Sequence, residues 1–220
     1  IIRGLVGSEM CIRDRNGIIS IDSLSLFDED KSSFVISGTL PFPVNSQASQ
    51  KTQLQSKFKN YELSFLSEFS NDILSRIKGS FTGDFSINGN TFKTGYKIDG
   101  KITDAYWGRL PLGLVKGRGE YKNKRLFFDN FSSDYNQNHY EGSASIPIDI
   151  DFVSKSRKLP SSSNLNLNSK GSFRSAEFLS AYISEIDSII GVIDFDFNIG
   201  GSLNSLSRDG RIDIKNGEVY

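Results

Sequence analysis

The chain has 220 residues, and its 26 Lys and Arg balance 26 Asp and Glu, so the formal net charge is zero. A nucleic-acid-binding domain usually carries a basic excess, and this balance argues against one. Aromatic residues make up 12% and hydrophobic residues 37% of the chain. This composition excludes a disordered chain but supplies only a small hydrophobic core for a protein of this length.

The first fifteen residues differ in composition from the rest. The only Met and the only Cys, Met10 and Cys11, lie in LVGSEMCIRDR at 5–15. No apolar run of a signal peptide is present, and a lone Cys cannot form an intrachain disulfide. The segment resembles a translated sequencing adapter. Residues 1–15 are therefore expected to be a non-native tail, and 16–220 a fragment truncated at both ends.

From residue 16 onward the dominant signal is alternation of apolar and polar residues. It is clearest at 80–87, 96–103, 144–151 and 192–199, and shorter at 165–167 and 212–214. Such strands have one apolar and one polar face. Strands of a parallel sheet would be apolar throughout, so the pattern predicts antiparallel sheet. Asn88-Gly89 and Asn216-Gly217 predict tight hairpin turns.

Two segments follow helical spacing instead. Apolar residues recur three or four apart from Leu66 to Ile77 and from Leu179 to Ile190. This spacing predicts two short helices, each with one apolar stripe. The polar, Pro-containing stretch at 154–164 predicts a loop.

The elements also repeat. Gly79 recurs as Gly191 and Phe85 as Phe197, each 112 residues later. The pattern predicts two units, at about 16–110 and 113–220, in an architecture that grows by repetition.

A second repeated motif contains apolar residues three apart. Ile21 and Leu24 precede SGTLP at 37–41, and Phe128 and Phe131 precede EGSASIP at 141–147.

A sheet with one apolar face must cover that face. Because the other face keeps its charges and the apolar content is low, the sequence predicts a mostly β fold, with one extended antiparallel sheet curled into an open groove and two short helices. The predicted lining consists of the alternating apolar residues Phe81, Phe85, Ile87, Tyr96, Ile98, Ile102, Ile193, Phe195, Phe197, Ile199, Ile212 and Ile214.

Several of these motifs resemble the AsmA/TamB-like superfamily of repeated β-groove proteins. They are GTLP at 38–41, GSASIP at 142–147, the G-x9-G strand after a short helix, and the Gly-rich rhythm of 87–102 and 199–220. The segments 88–92 and 201–206 depart from the family pattern, since they lack the Pro that commonly follows the Gly-small turn.

The resemblance implies a periplasmic segment of a protein anchored in the inner membrane of a Gram-negative-type envelope. It implies a groove that conducts phospholipid between inner and outer membranes or supports outer-membrane protein assembly. Phospholipid acyl chains and an outer-membrane assembly barrel protein are the implied partners, with no cofactor and no catalytic residues.

Two other classes of function stay open. One is a secreted β-repeat adhesin or structural protein-binding module with a closed core; the other is a β-barrel enzyme or small-ligand carrier. The only His, His139, lacks a nucleophile pattern around it. Asp194 and Asp196 are explained by strand alternation. We therefore expect no enzymatic activity and no metal site.

Overall fold

The structure is a computed structural model, and it describes residues 5–15, 17–28, 32–41, 51–63, 77–90, 93–108, 110–147, 164–175, 189–202 and 205–219. Within these ranges the chain forms one antiparallel sheet of twelve strands. This confirms the predicted mostly β class and antiparallel pairing.

The strands are long, between 9 and 15 residues each. In chain order they are β1 (Leu5–Arg15), β2 (Ile18–Asp28), β3 (Ser33–Pro41), β4 (Thr52–Glu62), β5 (Ile77–Asn90), β6 (Lys93–Trp107), β7 (Leu110–Lys122), β8 (Arg125–Tyr135), β9 (Asn138–Pro147), β10 (Asn164–Ser175), β11 (Ile189–Ser202) and β12 (Ser205–Val219).

The topology is a simple meander. Each strand pairs with the strands before and after it in sequence, so the order runs from β1 to β12 without a crossover. β1 and β12 lie at the two edges and do not pair with each other, so the described sheet is open and is not a barrel.

The segment predicted to be a non-native tail forms β1. It pairs with β2 from Leu5 opposite Asp28 to Arg15 opposite Ile18. Backbone hydrogen bonds of this kind need only an extended chain beside a free strand edge. The pairing is therefore compatible with any origin of this segment, and the non-native tail stays a prediction.

The two predicted helices fall almost wholly outside the described residues. Their last residues, Ile77 and Ile190, are described and lie in β5 and β11. The described part of the chain contains no α-helix. Most of the loop predicted at 154–164 and the last residues of the strand predicted at 144–151 also lie outside it.

The two Asn-Gly hairpin predictions were wrong. Asn88 and Gly89 lie inside β5, whose pairing with β6 continues to Asn90 opposite Lys93. Asn216 lies inside β12, where its φ of 52° belongs to a bulge opposite Gly191. Both dipeptides therefore lie within strands, and the left-handed conformation of Asn216 belongs to a bulge and not to a hairpin turn.

A real tight turn joins β7 and β8 through a less typical dipeptide. Asn123 and Lys124 have φ values of 53° and 58°, and Lys122 pairs with Arg125 across the turn. Positive φ at both central residues is the requirement of a type I′ turn, which matches the twist of the flanking strands.

The sequence repeat has a counterpart in the backbone. Gly79 and Gly191, 112 residues apart, both adopt positive φ, at 127° and 137°, and both lie at a break in strand register. Asp104 and Asn216, again 112 apart, have φ values of 51° and 52°. The two parts of the sheet therefore contain the same local irregularity of the backbone, a positive φ at a break in strand register.

Glycines allow close approach of neighbouring strands on one face of the sheet. Gly83 and Gly100 are directly opposite each other in β5 and β6. A Cβ at Gly100 would lie 2.5 Å from the carbonyl oxygen of Thr82 and 2.7 Å from Cε2 of Phe81. The Phe81 ring thus covers the glycine pair and occupies the space of the missing side chains.

This packing predicts unequal effects of two alanine substitutions in β6. Gly100→Ala should destabilise the protein by about 1–3 kcal/mol, since its Cβ meets backbone atoms that cannot move aside. Gly95→Ala is the control, because its Cβ would lie 3.4 Å from the nearest atom. Urea unfolding of both variants measures the difference, and equal midpoints would contradict the close approach.

Candidate functional site: the apolar face

The strand register places all twelve predicted lining residues on one face of the sheet. Directly opposite residues of an antiparallel pair point to the same face, so a row of partners can be followed from strand to strand. One such row, from β5 to β12, is Phe85, Ile98, Gly119, Phe128, Ala144, Leu167, Ile199 and Arg208.

The remaining predicted residues belong to parallel rows of the same face, which we call the apolar face. Phe81 lies opposite Ile102, and Ile87 opposite Tyr96. At the other end of the sheet, Ile193 lies opposite Ile214, Phe195 opposite Ile212, and Phe197 opposite Gly210.

The apolar face is larger than the predicted set. The register adds the following residues of β2–β4 and β7–β10: Ile19, Ile21, Leu24, Leu26, Phe34, Ile36, Leu40, Leu54, Phe58, Tyr61, Val115, Tyr121, Leu126, Phe128, Phe131, Tyr140, Ala144, Ile146, Leu165, Leu167 and Phe173. Some, such as Ala144 and Leu167, lie in strands whose alternation was recognised but were not assigned to the lining, whereas Leu24 and Phe131 lie beside bulges that interrupt the alternation.

Bulges explain the repeated motif of apolar residues three apart. The register shifts between Ile21 and Leu24 and between Phe128 and Phe131, so that each pair stays on the apolar face. A β-bulge inserts one extra residue into a strand and reverses its alternation. The three-residue spacing in an otherwise alternating strand was therefore the available signal for these bulges.

Aromatic rings form contacts along the apolar face across successive strands. Phe58 of β4 contacts both Phe34 of β3, at a centroid distance of 4.8 Å, and Phe81 of β5, at 5.6 Å. Tyr96 and Tyr121 continue the contacts across β6 and β7, with centroids 5.3 Å apart.

A second aromatic group lies on the apolar face of β9–β11. Phe173 contacts Tyr140 at 6.0 Å and stacks on Phe195 at 5.2 Å, and Phe195 contacts Phe197 at 5.6 Å. Since aromatic pairs add roughly 0.5–1.5 kcal/mol beyond burial of their area, these contacts stabilise the strand pairing from the apolar side.

Burial varies along the apolar face. In the central strands Ala105 is 1% exposed and Tyr121 4% exposed, although the described residues supply only this one sheet. At the β12 edge Ile212 and Ile214 are 56% and 54% exposed. The face therefore becomes accessible to solvent toward this edge.

One polar cluster interrupts the apolar face. Ser133 is fully buried and donates a hydrogen bond to the carbonyl oxygen of Leu112. The neighbouring Tyr140 hydroxyl is buried without a hydrogen-bond partner among the described residues. Burial raises the pKa of Tyr140, and the Ser133 hydroxyl beside it offsets this rise only in part.

The opposite face, here called the polar face, has ion pairs between neighbouring strands. Asp99 accepts from Arg118 at 2.8 Å, and Lys170 lies 3.0 Å from Glu141. All of these side chains are largely exposed, so each pair contributes at most about 1 kcal/mol. Their main effect is to favour the observed register, because like charges would meet in a shifted one.

The residues considered for catalysis lie on the polar face. His139 Nδ1 is 2.6 Å from Asp134 Oδ1 at the β8–β9 hairpin, and both side chains are exposed. Asp194 accepts a hydrogen bond from Lys215, which is the main reason that its pKa lies below the usual value. No cluster of three or more potential metal ligands occurs among the described residues.

Neither protein-family models, nor curated proteins, nor solved structures provide a match to this chain. The described residues contain no helix with the length and hydropathy of a membrane span.

The buried hydroxyl predicts a pH dependence of stability. A Tyr with a raised folded-state pKa binds its proton more tightly when folded. Its contribution is therefore fully present below the unfolded pKa of about 10 and is lost as pH rises through the folded-state pKa. We expect the free energy of unfolding to fall at alkaline pH, and to fall less in Tyr140→Phe.

Urea unfolding at about pH 9 and pH 11, on either side of the unfolded pKa, measures this difference. Tyr106→Phe is the control, since that side chain is 40% exposed. The same alkaline loss in Tyr140→Phe and wild type would rule out a contribution from the Tyr140 hydroxyl.

Proposed function

We propose that the chain is a segment of an AsmA/TamB-like envelope protein whose apolar face conducts phospholipid between the inner and outer membranes or supports outer-membrane protein assembly. The observation that supports this proposal best is one apolar face that continues through the strands of an open sheet. A continuous apolar surface offers acyl chains a path without a step into water.

In the proposed architecture the sheet curls around its apolar face and forms a groove. The burial of Tyr121 and Phe81, at 4% and 7% exposure, supports this curvature, because the described residues contain no second sheet that covers them. Glycines such as Gly83 and Gly100 support it as well, since they permit strand contacts that a side chain would block.

The mechanism is passive transfer. Each CH₂ group of an acyl chain that leaves water for the apolar lining gains about 0.8 kcal/mol. Apolar side chains recur on successive strands of the face, so an acyl chain can move along it without a step into water. The polar headgroup stays at the open side of the groove, where it keeps its water.

The proposed location is the periplasm of a Gram-negative-type envelope, with the full-length protein anchored in the inner membrane. An outer-membrane assembly barrel protein is the proposed protein partner, and no cofactor or catalytic residue takes part. The resemblance of the sequence motifs at 38–41 and 142–147 to the family supports these features of the proposal.

A secreted β-repeat adhesin or structural module is the second candidate, and it would bind proteins through its polar face. The ordered ion pairs of that face favour it, since they present a regular charge pattern. Such a module should close its core, however, and the exposed Ile212 and Ile214 favour the open groove instead.

The proposal predicts that Phe197→Asp reduces the phospholipid that copurifies with the protein by at least about tenfold. A carboxylate desolvated by acyl chains costs more than the 1.4 kcal/mol that a tenfold change requires. Phe197 is 38% exposed, so the fold should tolerate the substitution. Native mass spectrometry of protein from a lipid-containing host measures the bound lipid.

Asn198→Asp is the matched control, because it adds the same charge to the next residue of β11, on the polar face. It should keep its lipid, and both variants should keep their β circular dichroism. Folded wild-type protein without lipid, or equal lipid in both variants, would argue for the protein-binding module.

A further inference from the structure

The polar face contains a depression that the proposed lipid path does not use. It has a volume of about 880 Å³ and lies over the glycines of β5, β6 and β7. Gly83, Gly100 and Gly117 form its floor, since they are opposite one another in register. Polar side chains from both sides of this glycine row form its walls.

Two lysines face each other in one wall. Lys101 and Lys116 are direct partners in the register of β6 and β7, and both side chains are exposed. Like charges in this position destabilise a strand pair. Neither lysine forms an ion pair with another described residue.

Other lysines of the polar face are arranged differently. Lys97 is the direct partner of Glu120, and Lys170 of Glu141, and both form ion pairs with these carboxylates. The register of β6 and β7 thus places Lys97 opposite an acidic residue but leaves Lys101 opposite a second cation. An anion between the two lysines would turn this repulsion into attraction.

The next residue of the same row adds a neutral donor. Ser132 of β8 is the direct partner of Lys116, and it also lines the depression. At the other end of the row, the Thr82 hydroxyl already exchanges hydrogen bonds with Asn60. Among the described residues, the donors of this row without a hydrogen-bond partner are therefore the two ammonium groups and the Ser132 hydroxyl.

The acidic side chains lie across the glycine floor. Asp84 and Asp99 line the opposite wall, where Arg118 binds Asp99 at 2.8 Å, and Asp129 lines it beside Asn130, the strand partner of Arg118. They keep the depression as a whole from being strongly positive, so it does not attract anions in general. They also restrict an anion to the wall formed by Lys101 and Lys116.

We propose that this depression binds a phosphoryl group between Lys101 and Lys116, with the Ser132 hydroxyl as a third donor. Three donors on adjacent strands suit the several oxygens of a phosphate monoester or of inorganic phosphate, and charge-assisted hydrogen bonds are the strong kind. The site is on the polar face, so it is independent of the proposed lipid groove.

The test is isothermal titration of the full chain at low ionic strength with inorganic phosphate. A parallel arm uses vesicles of phosphatidylcholine with and without phosphatidic acid, which exposes a phosphate monoester. Wild type should bind phosphate saturably, and Lys101→Gln/Lys116→Gln should bind it at least about tenfold more weakly. The matched control is Lys51→Gln/Lys122→Gln, which removes the same charge from exposed positions outside the depression.

Lysine-dependent binding to phosphate alone identifies a free phosphate ligand, and the same dependence with phosphatidic acid vesicles identifies a headgroup. Absence of saturable binding in both arms, or equal weakening in the control, would overturn the proposal. Phe197→Asp should keep phosphate binding, and Lys101→Gln/Lys116→Gln should keep copurifying phospholipid. Failure of the phosphoryl-site proposal can therefore be distinguished from failure of the lipid-groove proposal.

Discussion

The central physical constraint on this chain is a single sheet with one apolar face. The strand register keeps the apolar side chains of successive strands on that face, which the polar cluster at Ser133 and Tyr140 interrupts. Apolar area of this extent is costly in water, at roughly 25 cal/mol for each Å². The glycines, the bulges and the aromatic contacts can all be understood as ways to keep this face continuous and shielded.

The two faces stabilise the sheet differently. On the apolar side, rings such as Phe58 and Phe81 interlock between strands and contribute burial. On the polar side, exposed pairs such as Asp99 and Arg118 add little energy but distinguish the native register from shifted ones. A repetitive sheet needs this second contribution, because a slip by two residues would preserve the alternation and would cost little on the apolar side alone.

The sequence allowed the class of fold and the orientation of the clearest strands to be predicted, because alternation depends only on local pattern. All twelve residues chosen for the lining lie on one face for that reason. The pattern failed where the backbone departs from regular pleating. Phe58 and Tyr61, three apart, remain on one face only through a bulge, and such a bulge depends on partner strands as well as on local sequence.

The candidate phosphoryl site could not be predicted from the sequence, because Lys101 and Lys116 are brought together by the register of β6 and β7. Each lysine alone has the appearance of a solvated surface residue. Strand pairing thus brings together side chains that are not neighbours along any one strand. The Asn-Gly predictions failed for a related reason, since Asn216 adopts its left-handed conformation within a strand and not at its end.

The meander topology has a consequence for how such a protein can change its size. Each strand contacts mainly its sequence neighbours, so a two-strand insertion at a hairpin disturbs only the strands beside it. Neighbouring strands are about 4.8 Å apart, and each added hairpin would therefore widen the sheet by roughly 10 Å while continuing both faces. The width of this sheet is thus set by the number of hairpins, and the gain or loss of a hairpin changes it in nearly equal steps.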